Sequence, residues 1–350
     1  ADVANRCLLE NNQPVTLKNR ELRPRCSIGI AHFPEDGEDL QTLLKAADSA
    51  MYAAKEEGKH RYAFYQPALT TQAEQRLQME QDLRLAIDSQ QLVLHYQPQV
   101  DLASGQVVGV EALVRWLHPE LGLVSPIEFI EVAERIGLIK ALGNWVLQTA
   151  CTQAAKWQGF CDAGLRMAVN ISPLHFQDPA LLDTVAEVLR QSGLAPGNLE
   201  LEITESVVQT TGNNYRMFEQ LRKLGVKIAI DDFGTGYSSL ASLKYLPIDS
   251  LKIDRLFITD LLTDQDSSVL MGTIVGVAHA LGHVVVAEGV ESEDQVRVLS
   301  GIGCDMIQGY IFSRPVPPDE IPALAQTCFL PQDEVNQMQP LAANSCKEYR

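Results

Sequence analysis

The sequence lacks paired cysteines, long apolar runs and an excess of positive charge. None of its seven cysteines forms a C-x-x-C pair, so the pattern indicates reduced thiols in a cytoplasmic setting and not a disulfide framework. No apolar run is long enough to span a bilayer, and the polar start predicts no signal peptide. A formal net charge of -17 disfavours nucleic-acid polymers and anionic membranes as partners, although metal ions could reverse the charge locally.

The hydrophobic pattern divides the chain into four segments. Residues 1–66 contain a strand candidate, CSIGIAHF, followed by an amphipathic helix. The predicted apolar face of this helix comprises Leu40, Leu43, Leu44, Ala47 and Met51. Residues 67–90 predict a helical connector, and residues 91–330 form the main domain. The polar residues 331–350 predict a disordered tail.

Eight strand candidates follow one another in the main domain. They are LVLHYQPQV, VVGVEALVRW, MAVNIS, LELEIT, KIAIDDF, SLKID, VVVAEGV and MIQGY. A short polar turn with Gly105 joins the first two, which predicts an antiparallel hairpin. Helical patterns separate the later strands, so the α/β alternation favours an irregular TIM-type (β/α)8 barrel with an antiparallel first strand. A doubly wound sheet would require a G-x-G-x-x-G turn, which the sequence lacks.

Polar residues follow or interrupt these apolar runs, near the carboxyl ends of the predicted strands. They are Glu111, Asn170, Glu202, Asp231, Asp232, Lys252, Glu288 and Gln308. Residues at the carboxyl ends of barrel strands line one face, where such barrels carry their active sites. Oxygen ligands without histidine or cysteine suit Mg²⁺ or Mn²⁺, and so many acids predict two ions.

Each of these residues, taken singly, has a simpler interpretation. An acid after a strand is usually a helix N-cap or a solvated loop residue, and Lys252 could point outward. Successive strands are unlikely to place oxygen ligands at the same register by chance. The spacing leaves two reaction classes open, namely enolase-type proton abstraction and two-metal phosphoester hydrolysis.

Eight ordered motifs resemble those of one enzyme family. YQPQV, EALVRW, VNIS, LEITES, DDFGTGYSSL, LKID, AEGVE and QGY occur in this order between Leu92 and about Pro315. Together they resemble the EAL domains, which are cyclic-di-GMP phosphodiesterases. Residues 27–65 resemble the C-terminal end of a GGDEF (diguanylate cyclase) domain, whose naming motif is absent. We therefore expect a piece of a longer tandem GGDEF–EAL protein, which an upstream region could anchor to a membrane.

The resemblance implies roles for the residues at the predicted rim. It implies a first metal ion held by Glu111, Asn170, Glu202 and Asp231, and a second served by Asp231 and Asp232. Adjacent acids on a strand face opposite ways, so the chain must turn there for both to reach one site. Lys252 would orient the attacking water or offset phosphoryl charge, and Glu288 would be the general base.

Further residues are implied to contact the substrate or to support the site. The substrate contacts are Arg115, Gln97 and Gln308. Glu205 would steady the DDFGTGYSSL loop, and Glu291 would support the region of the base. The implied reaction is hydrolysis of cyclic-di-GMP to linear pGpG, and the alternative is a catalytically silent cyclic-di-GMP receptor. The implied partners are a second copy of the EAL domain and the GGDEF domain of the same chain.

Overall fold

The computed structural model describes residues 1–17, 20–159, 164–209, 215–234, 244 and 246–330. The chain divides into two compact units, Ala1–Arg84 and Leu85–Arg350. Most of the predicted DDFGTGYSSL loop, from residue 235 onward, lies outside the described residues, and so does the predicted tail 331–350. The segment boundaries at residues 66 and 90 stay predictions.

The first unit contains four short strands and three helical segments in its described part. The strands are β1 (Val15–Leu17), β2 (Arg20–Leu22), β3 (Ile28–Ile30) and β4 (Tyr62–Phe64). The helices are Asp2–Asn11, Leu40–Glu56 and Pro67–Asp88, the last of which continues into the second unit. Strands β1 and β2 pair antiparallel, and β3 and β4 pair parallel. The predicted strand CSIGIAHF contributes β3, whereas the other three strands were not predicted.

The buried face of helix Leu40–Glu56 differs from the predicted one. Leu40 and Leu44, which belong to the predicted apolar face, are 74% and 58% exposed. The fully buried positions are Ala46, Ala50 and Ala54. The helix backbone approaches β3 closely at Gly29, where an added Cβ would overlap the backbone O of Ala47 and the backbone N of Met51.

The second unit is a closed barrel built from eight of the nine strands of one sheet. The strands are β5 (Leu92–Asp101), β6 (Val107–His118), β7 (Gly122–Val124), β8 (Arg166–Ile171), β9 (Leu199–Thr204), β10 (Lys227–Phe233), β11 (Ser250–Ile253), β12 (Val284–Glu288) and β13 (Met306–Gln308). The described helices of this unit are Pro126–Arg135, Ile139–Lys156, Pro173–Phe176, Leu181–Ser192, Glu205–Gln209, Tyr215–Lys223, Arg255–Thr259, Gln265–Ala280, Glu293–Gly301 and Ile321–Ala325. Short 3-10 helices span Pro196–Asn198 and Pro318–Glu320.

Strand β5 closes the barrel and runs against both of its neighbours. It pairs antiparallel with β6, where Gln97 faces Glu111, and antiparallel with β13, where Val100 faces Ile307. The strands from β8 to β13 pair parallel in chain order, and β6 pairs parallel with β8. The predicted irregular (β/α)8 barrel with an antiparallel first strand is thus confirmed. The short strand β7 pairs with β6 outside the closed ring and was not predicted.

Alternation along the strands separates an apolar outer face from a polar interior. In β9, Leu199, Leu201 and Ile203 are fully buried and alternate with the buried acids Glu200 and Glu202. Successive strand residues point to opposite faces, so the two acids share the face opposite the apolar residues. Burying acids inside the barrel is costly unless cations or hydrogen-bond donors accompany them. Among the helices that the structure describes, we find none with the length and apolarity to cross a bilayer.

A close backbone approach fixes the end of β13 against the chain after β12. Gly309 follows Gln308, and an added Cβ would overlap the backbone N and O of Val290. We expect Gly309→Ala to lower the free energy of unfolding by about 1–3 kcal/mol, because the backbone must shift. Gly276→Ala is the matched control, since its Cβ would meet no atom within 4 Å. Urea unfolding of both variants measures the difference, and equal stabilities would contradict the close approach.

Candidate active site

Most of the predicted rim residues meet inside the carboxyl-terminal end of the barrel. Asn170, Glu202 and Asp231 lie on the neighbouring parallel strands β8, β9 and β10. Lys252 lies on β11 and Glu288 ends β12. Parallel strands bring their carboxyl ends to one edge, which explains how residues far apart in sequence share one site.

Lys252 lies at the centre of this cluster and is only 1% exposed. Its Nζ lies 2.7 Å from Glu202 Oε2 and 2.6 Å from Glu288 Oε1, although neither contact has hydrogen-bond geometry. The same Nζ lies 3.3 Å from Asp231 Oδ1 and 3.5 Å from Glu111 Oε2. Carboxylates therefore outnumber the ammonium four to one in a buried site.

Side-chain amides hold the Glu111 carboxylate from two sides. Asn170 Nδ2 donates to Glu111 Oε1, and Gln308 Nε2 donates to Glu111 Oε2 at 2.6 Å. Gln308 Nε2 also donates to Gln97 Oε1 at 3.0 Å, and Gln97 in turn donates to Ser313 O at 3.1 Å. Each carboxylate oxygen has two lone pairs, so Glu111 retains acceptor capacity for a further ligand.

The strand bends at the two adjacent acids of β10. Asp232 has a φ of 54°, in the left-handed region, and the pairing of β10 with β11 is irregular between Ile230 and Phe233. This bend places oxygen atoms of Asp231, Asp232 and Glu288 within 4.8 Å of one another. A non-glycine residue in this conformation destabilises the folded state by about 1–3 kcal/mol, which other contacts of the folded chain must offset.

Charge balance keeps Lys252 protonated and Glu111 ionised. Burial acts to lower the pKa of Lys252, but the surrounding carboxylates, Asp231 foremost, outweigh it and raise the pKa well above its usual value. Burial acts to raise the pKa of Glu111, but Lys252 and the hydrogen bonds from Gln308 and Asn170 outweigh it, so the net shift is downward.

The pKa values of three other acids in the site, Glu202, Glu288 and Asp232, are shifted upward. Burial, followed by repulsion from Glu111, raises the pKa of Glu202 well above its usual value. Burial also raises the pKa of Glu288 to about 8, with Asp231 and Glu111 adding to it against the pull of the neighbouring ammonium. Burial, followed by repulsion from Asp231, raises the pKa of Asp232 to about 6. One ammonium therefore does not offset the burial of these acids and the repulsion among them.

The carboxylate oxygens of the site are suitable ligands for divalent cations. Both oxygens of Glu202 are buried and accept no hydrogen bond from the described residues. Asp231, Asp232 and Glu288 offer further carboxylate oxygens at mutual distances that one ion could bridge. Oxygen donors with an excess of negative charge suit hard cations such as Mg²⁺ and Mn²⁺.

Three residues predicted from the resemblance form hydrogen bonds or ion pairs outside this cluster. Arg115 is half-buried, and its Nη1 donates to Val114 O at 2.9 Å. Glu205 is buried, and its Oε2 accepts from the backbone N of Gly234 at 3.1 Å, where the described part of the loop ends. Glu291 forms an exposed ion pair with Arg255 at 2.9 Å.

A second set of polar side chains lies in the barrel interior and was not predicted. It comprises Gln99, Arg166, Glu200 and Ser250. Three of these residues lie two positions before a predicted site residue or two positions after one: Gln99 after Gln97, Glu200 before Glu202, and Ser250 before Lys252. The strand period of two therefore contained a signal for these inward-facing side chains.

Comparison with known proteins places most of the chain in one family. The family model described as the EAL domain matches residues 80–315. The model described as the diguanylate cyclase, GGDEF domain matches residues 1–61.

Relatives and solved structures agree with these matches. The bifunctional diguanylate cyclase/cyclic di-GMP phosphodiesterase MucR of Pseudomonas aeruginosa is 43% identical over 322 residues, which cover 92% of this chain and 47% of MucR. The cyclic di-GMP phosphodiesterase NbdA of the same organism is 42% identical over 316 residues, which cover 90% of this chain and 40% of NbdA. This chain thus spans less than half the length of either relative.

The solved structure described as the PaMucR phosphodiesterase, c-di-GMP complex, matches with a TM-score of 0.67 and 45% identity. The match covers 70% of this chain and 99% of that one. The EAL domain of Mycobacterium smegmatis DcpA matches with a TM-score of 0.58 and 34% identity, covering 69% of this chain and 99% of that one. With its barrel, its ordered motifs and a family match over more than half of its length, the chain belongs to the EAL-domain family.

Proposed function

We propose that this chain hydrolyses cyclic-di-GMP to linear pGpG with the help of two divalent cations, and so lowers the level of a bacterial second messenger. The buried cluster of four carboxylates around Lys252 carries the proposal, because such a concentration of oxygen donors calls for further positive charge. The names of MucR and NbdA, which are cyclic-di-GMP phosphodiesterases, support the choice of substrate.

The cations would be Mg²⁺ or Mn²⁺, held by the carboxylate and amide oxygens of the rim. The first would be held by Glu111, Asn170, Glu202 and Asp231, and the second by Asp231 and Asp232. When bound, such ions lower the pKa of a water molecule and offset charge on phosphoryl oxygens. The bend at Asp232 supports this assignment, because it turns two adjacent acids toward one site.

The side chains around the cations would supply the general base, balance charge and contact the substrate. Glu288 would take a proton from the attacking water, whose oxygen forms a bond to phosphorus while the bond to the sugar 3′ oxygen breaks, and the 3′ oxygen would take up a proton from solvent. Lys252 would hold the water or balance charge on the phosphoryl group, and it already contacts Glu288. Arg115, Gln97 and Gln308 would contact the substrate, with Arg115 offsetting negative charge in the transition state.

A turnover assay with the purified 350-residue chain tests the proposal. We expect cyclic-di-GMP to be converted to pGpG with Mn²⁺ or Mg²⁺ and to stay intact after EDTA treatment. Glu288→Gln should reduce turnover by about 10²–10⁴-fold, which is the range for loss of a general base. Chromatography of the nucleotide products provides the measurement.

The same assay separates the enzyme from a silent receptor. Tight binding of cyclic-di-GMP without turnover, unchanged in Glu288→Gln, would overturn the proposed hydrolysis and favour the receptor. Gln191→Leu is a suitable control, because this exposed glutamine lies on helix Leu181–Ser192. Its turnover should equal that of the unaltered chain.

The assembly and placement of the chain remain part of the proposal. We expect a homodimer through the EAL domain, with the GGDEF domain acting in the same chain. Support comes from exposed apolar side chains on the helices after β11, which include Leu256 at 66% and Val269 at 65% exposure. The cytoplasmic location of this part and a membrane anchor upstream of it are likewise proposals.

A further inference from the structure

A buried polar layer lies beneath the carboxylate cluster, and the proposed chemistry gives it no role. Gln99 is fully buried, and Glu200 and Ser250 are each 1% exposed. Arg166 begins β8 and Ser250 begins β11, so this layer lies at the amino ends of the strands, opposite the predicted rim. Buried polar groups are costly, and a group of four inside a barrel calls for an explanation.

The layer is joined to Glu111 by an unbroken series of side-chain hydrogen bonds. Arg166 Nη2 donates to Gln99 Oε1 at 3.1 Å, and Gln99 Nε2 donates to Gln308 Oε1 at 3.0 Å. Gln308 Nε2 then donates to Glu111 Oε2 at 2.6 Å. The series crosses the barrel interior from the amino ends of the strands to the proposed metal site.

The arginine gives the series a single direction. A guanidinium group only donates hydrogen bonds, so the oxygen of the Gln99 amide must face Arg166. The nitrogen of Gln99 then faces Gln308, whose oxygen must accept. This leaves the Gln308 nitrogen to face Glu111, where a donor is required. Amide orientations are assigned from hydrogen-bond partners: the donor-only Arg166 determines that of Gln99, and Gln99, Gln97 and Glu111 all require the same orientation of Gln308.

Glu200, which Ser250 holds in place, lies against the arginine. Arg166 Nε lies 3.2 Å from Glu200 Oε2, and Ser250 Oγ donates to Glu200 Oε1. The opposite charge of Glu200 therefore keeps the guanidinium beside the Gln99 amide. Gly109 leaves room for the Gln99 amide, since an added Cβ would lie 2.9 Å from Gln99 Oε1.

We propose that Gln99, oriented by Arg166, is a positioning residue that turns the Gln308 amide toward Glu111 and so sets this carboxylate for binding a divalent cation. The inference rests on the proposed function only in taking Glu111 as a metal ligand. Partners that orient metal ligands are worth about 10–100-fold in metal affinity or activity. Gln99 contacts neither the substrate nor the cation and acts through Gln308.

The test measures Mn²⁺ binding to the whole chain by isothermal titration calorimetry without nucleotide. Gln99→Met keeps the length of the side chain but removes both polar atoms. Gln99→Glu keeps the acceptor toward Arg166 but presents an oxygen to Gln308, which would turn its amide and place its oxygen against Glu111. We expect both variants to bind Mn²⁺ about 10–100-fold more weakly, with melting temperatures showing that they fold.

A double-mutant cycle tests whether Gln99 acts through Gln308. Gln99→Met should weaken Mn²⁺ binding in the unaltered chain but add little in a Gln308→Met background. Additive losses would overturn the inference, and so would unchanged Mn²⁺ affinity in folded Gln99→Met or Gln99→Glu. If Gln99→Met fails to fold, the Mn²⁺ affinities of Gln99→Glu and Gly109→Ala test the inference instead. Gly109→Ala would displace the Gln99 amide, and unchanged affinity in both variants would overturn the inference. Gln191→Leu, on the exposed helix, should bind Mn²⁺ normally.

The result is independent of whether the chain is an enzyme. A chain that binds Mn²⁺ but leaves cyclic-di-GMP intact would contradict the proposed function, while weaker Mn²⁺ binding in Gln99→Met would still support the inference. A chain that hydrolyses cyclic-di-GMP, with the same Mn²⁺ affinity in both Gln99 variants, would overturn the inference alone.

Discussion

Replacing Lys252 with methionine should lower the free energy of unfolding of the EDTA-treated protein by about 3–5 kcal/mol, which is typical when one partner of a buried ion pair is removed. Methionine has nearly the length of lysine but no charge. Its introduction leaves Glu111, Glu202, Asp231 and Glu288 facing one another without the ammonium that lies within 3.5 Å of each. The carboxylates must then take up protons or separate.

Divalent cations should offset part of this loss. Mn²⁺ bound among the remaining carboxylates supplies the positive charge that Lys252 provided, so the destabilisation should shrink when Mn²⁺ replaces EDTA. Turnover of cyclic-di-GMP should still fall by about 10²–10³-fold, because an oriented cation that offsets phosphoryl charge is missing. Urea unfolding with EDTA or Mn²⁺, together with the turnover assay, measures both effects.

Lys140→Met is the matched control for this substitution. Lys140 pairs with Asp178 at 2.7 Å, but its side chain is 49% exposed, so solvent screens the pair and its loss should change stability little. A Lys252→Met variant as stable as Lys140→Met in EDTA would contradict the charge balance described for the cluster. It would mean that the cluster, Glu111 included, takes up protons at little cost once the ammonium is removed.

The barrel was predictable because each of its strands is an apolar run bounded by a turn or a helix. The antiparallel first strand followed from the short turn at Gly105, which is too short for a crossover connection. Strand β7, which consists of Gly122–Val124, escaped prediction because three residues show no periodicity. Helix Leu40–Glu56 was predicted, but its buried face was not, because alanine contributes little to a hydrophobic pattern.

The sequence allowed us to predict which residues lie at the rim of the barrel, but not which of their side chains contact one another. An acid or amide after an apolar run indicates the carboxyl end of a strand, and parallel strands bring these ends together. That Lys252 is the common neighbour of four carboxylates depends on how the barrel closes. The pairing of Gln99 with Arg166 joins residues 67 positions apart and depends on the register of an antiparallel strand. Local sequence patterns do not predict contacts between residues so far apart in the chain.

Replacing Glu202 with glutamine should have the opposite effect on stability from Lys252→Met. Glu202 is buried, and its pKa is raised well above the usual value by burial and then by Glu111. A neutral side chain of the same shape therefore suits this position without a cation, and the EDTA-treated variant should be as stable as the unaltered chain or more so. Lys252 keeps three carboxylate neighbours in this variant.

Metal binding and turnover should nevertheless fall sharply in Glu202→Gln. A neutral amide oxygen is a weaker ligand for a divalent cation than a carboxylate. Mutating a residue that only orients a metal ligand weakens metal binding by about 10–100-fold. Because Glu202 is proposed to contact the cation itself, Glu202→Gln should weaken Mn²⁺ binding by more than this. Mn²⁺ should accordingly raise the melting temperature of the unaltered chain more than that of the variant, because binding to the folded state alone stabilises it. If Glu202→Gln instead destabilised the EDTA-treated protein as much as Lys252→Met, the carboxylate would be a structural partner of Lys252 and not a metal ligand.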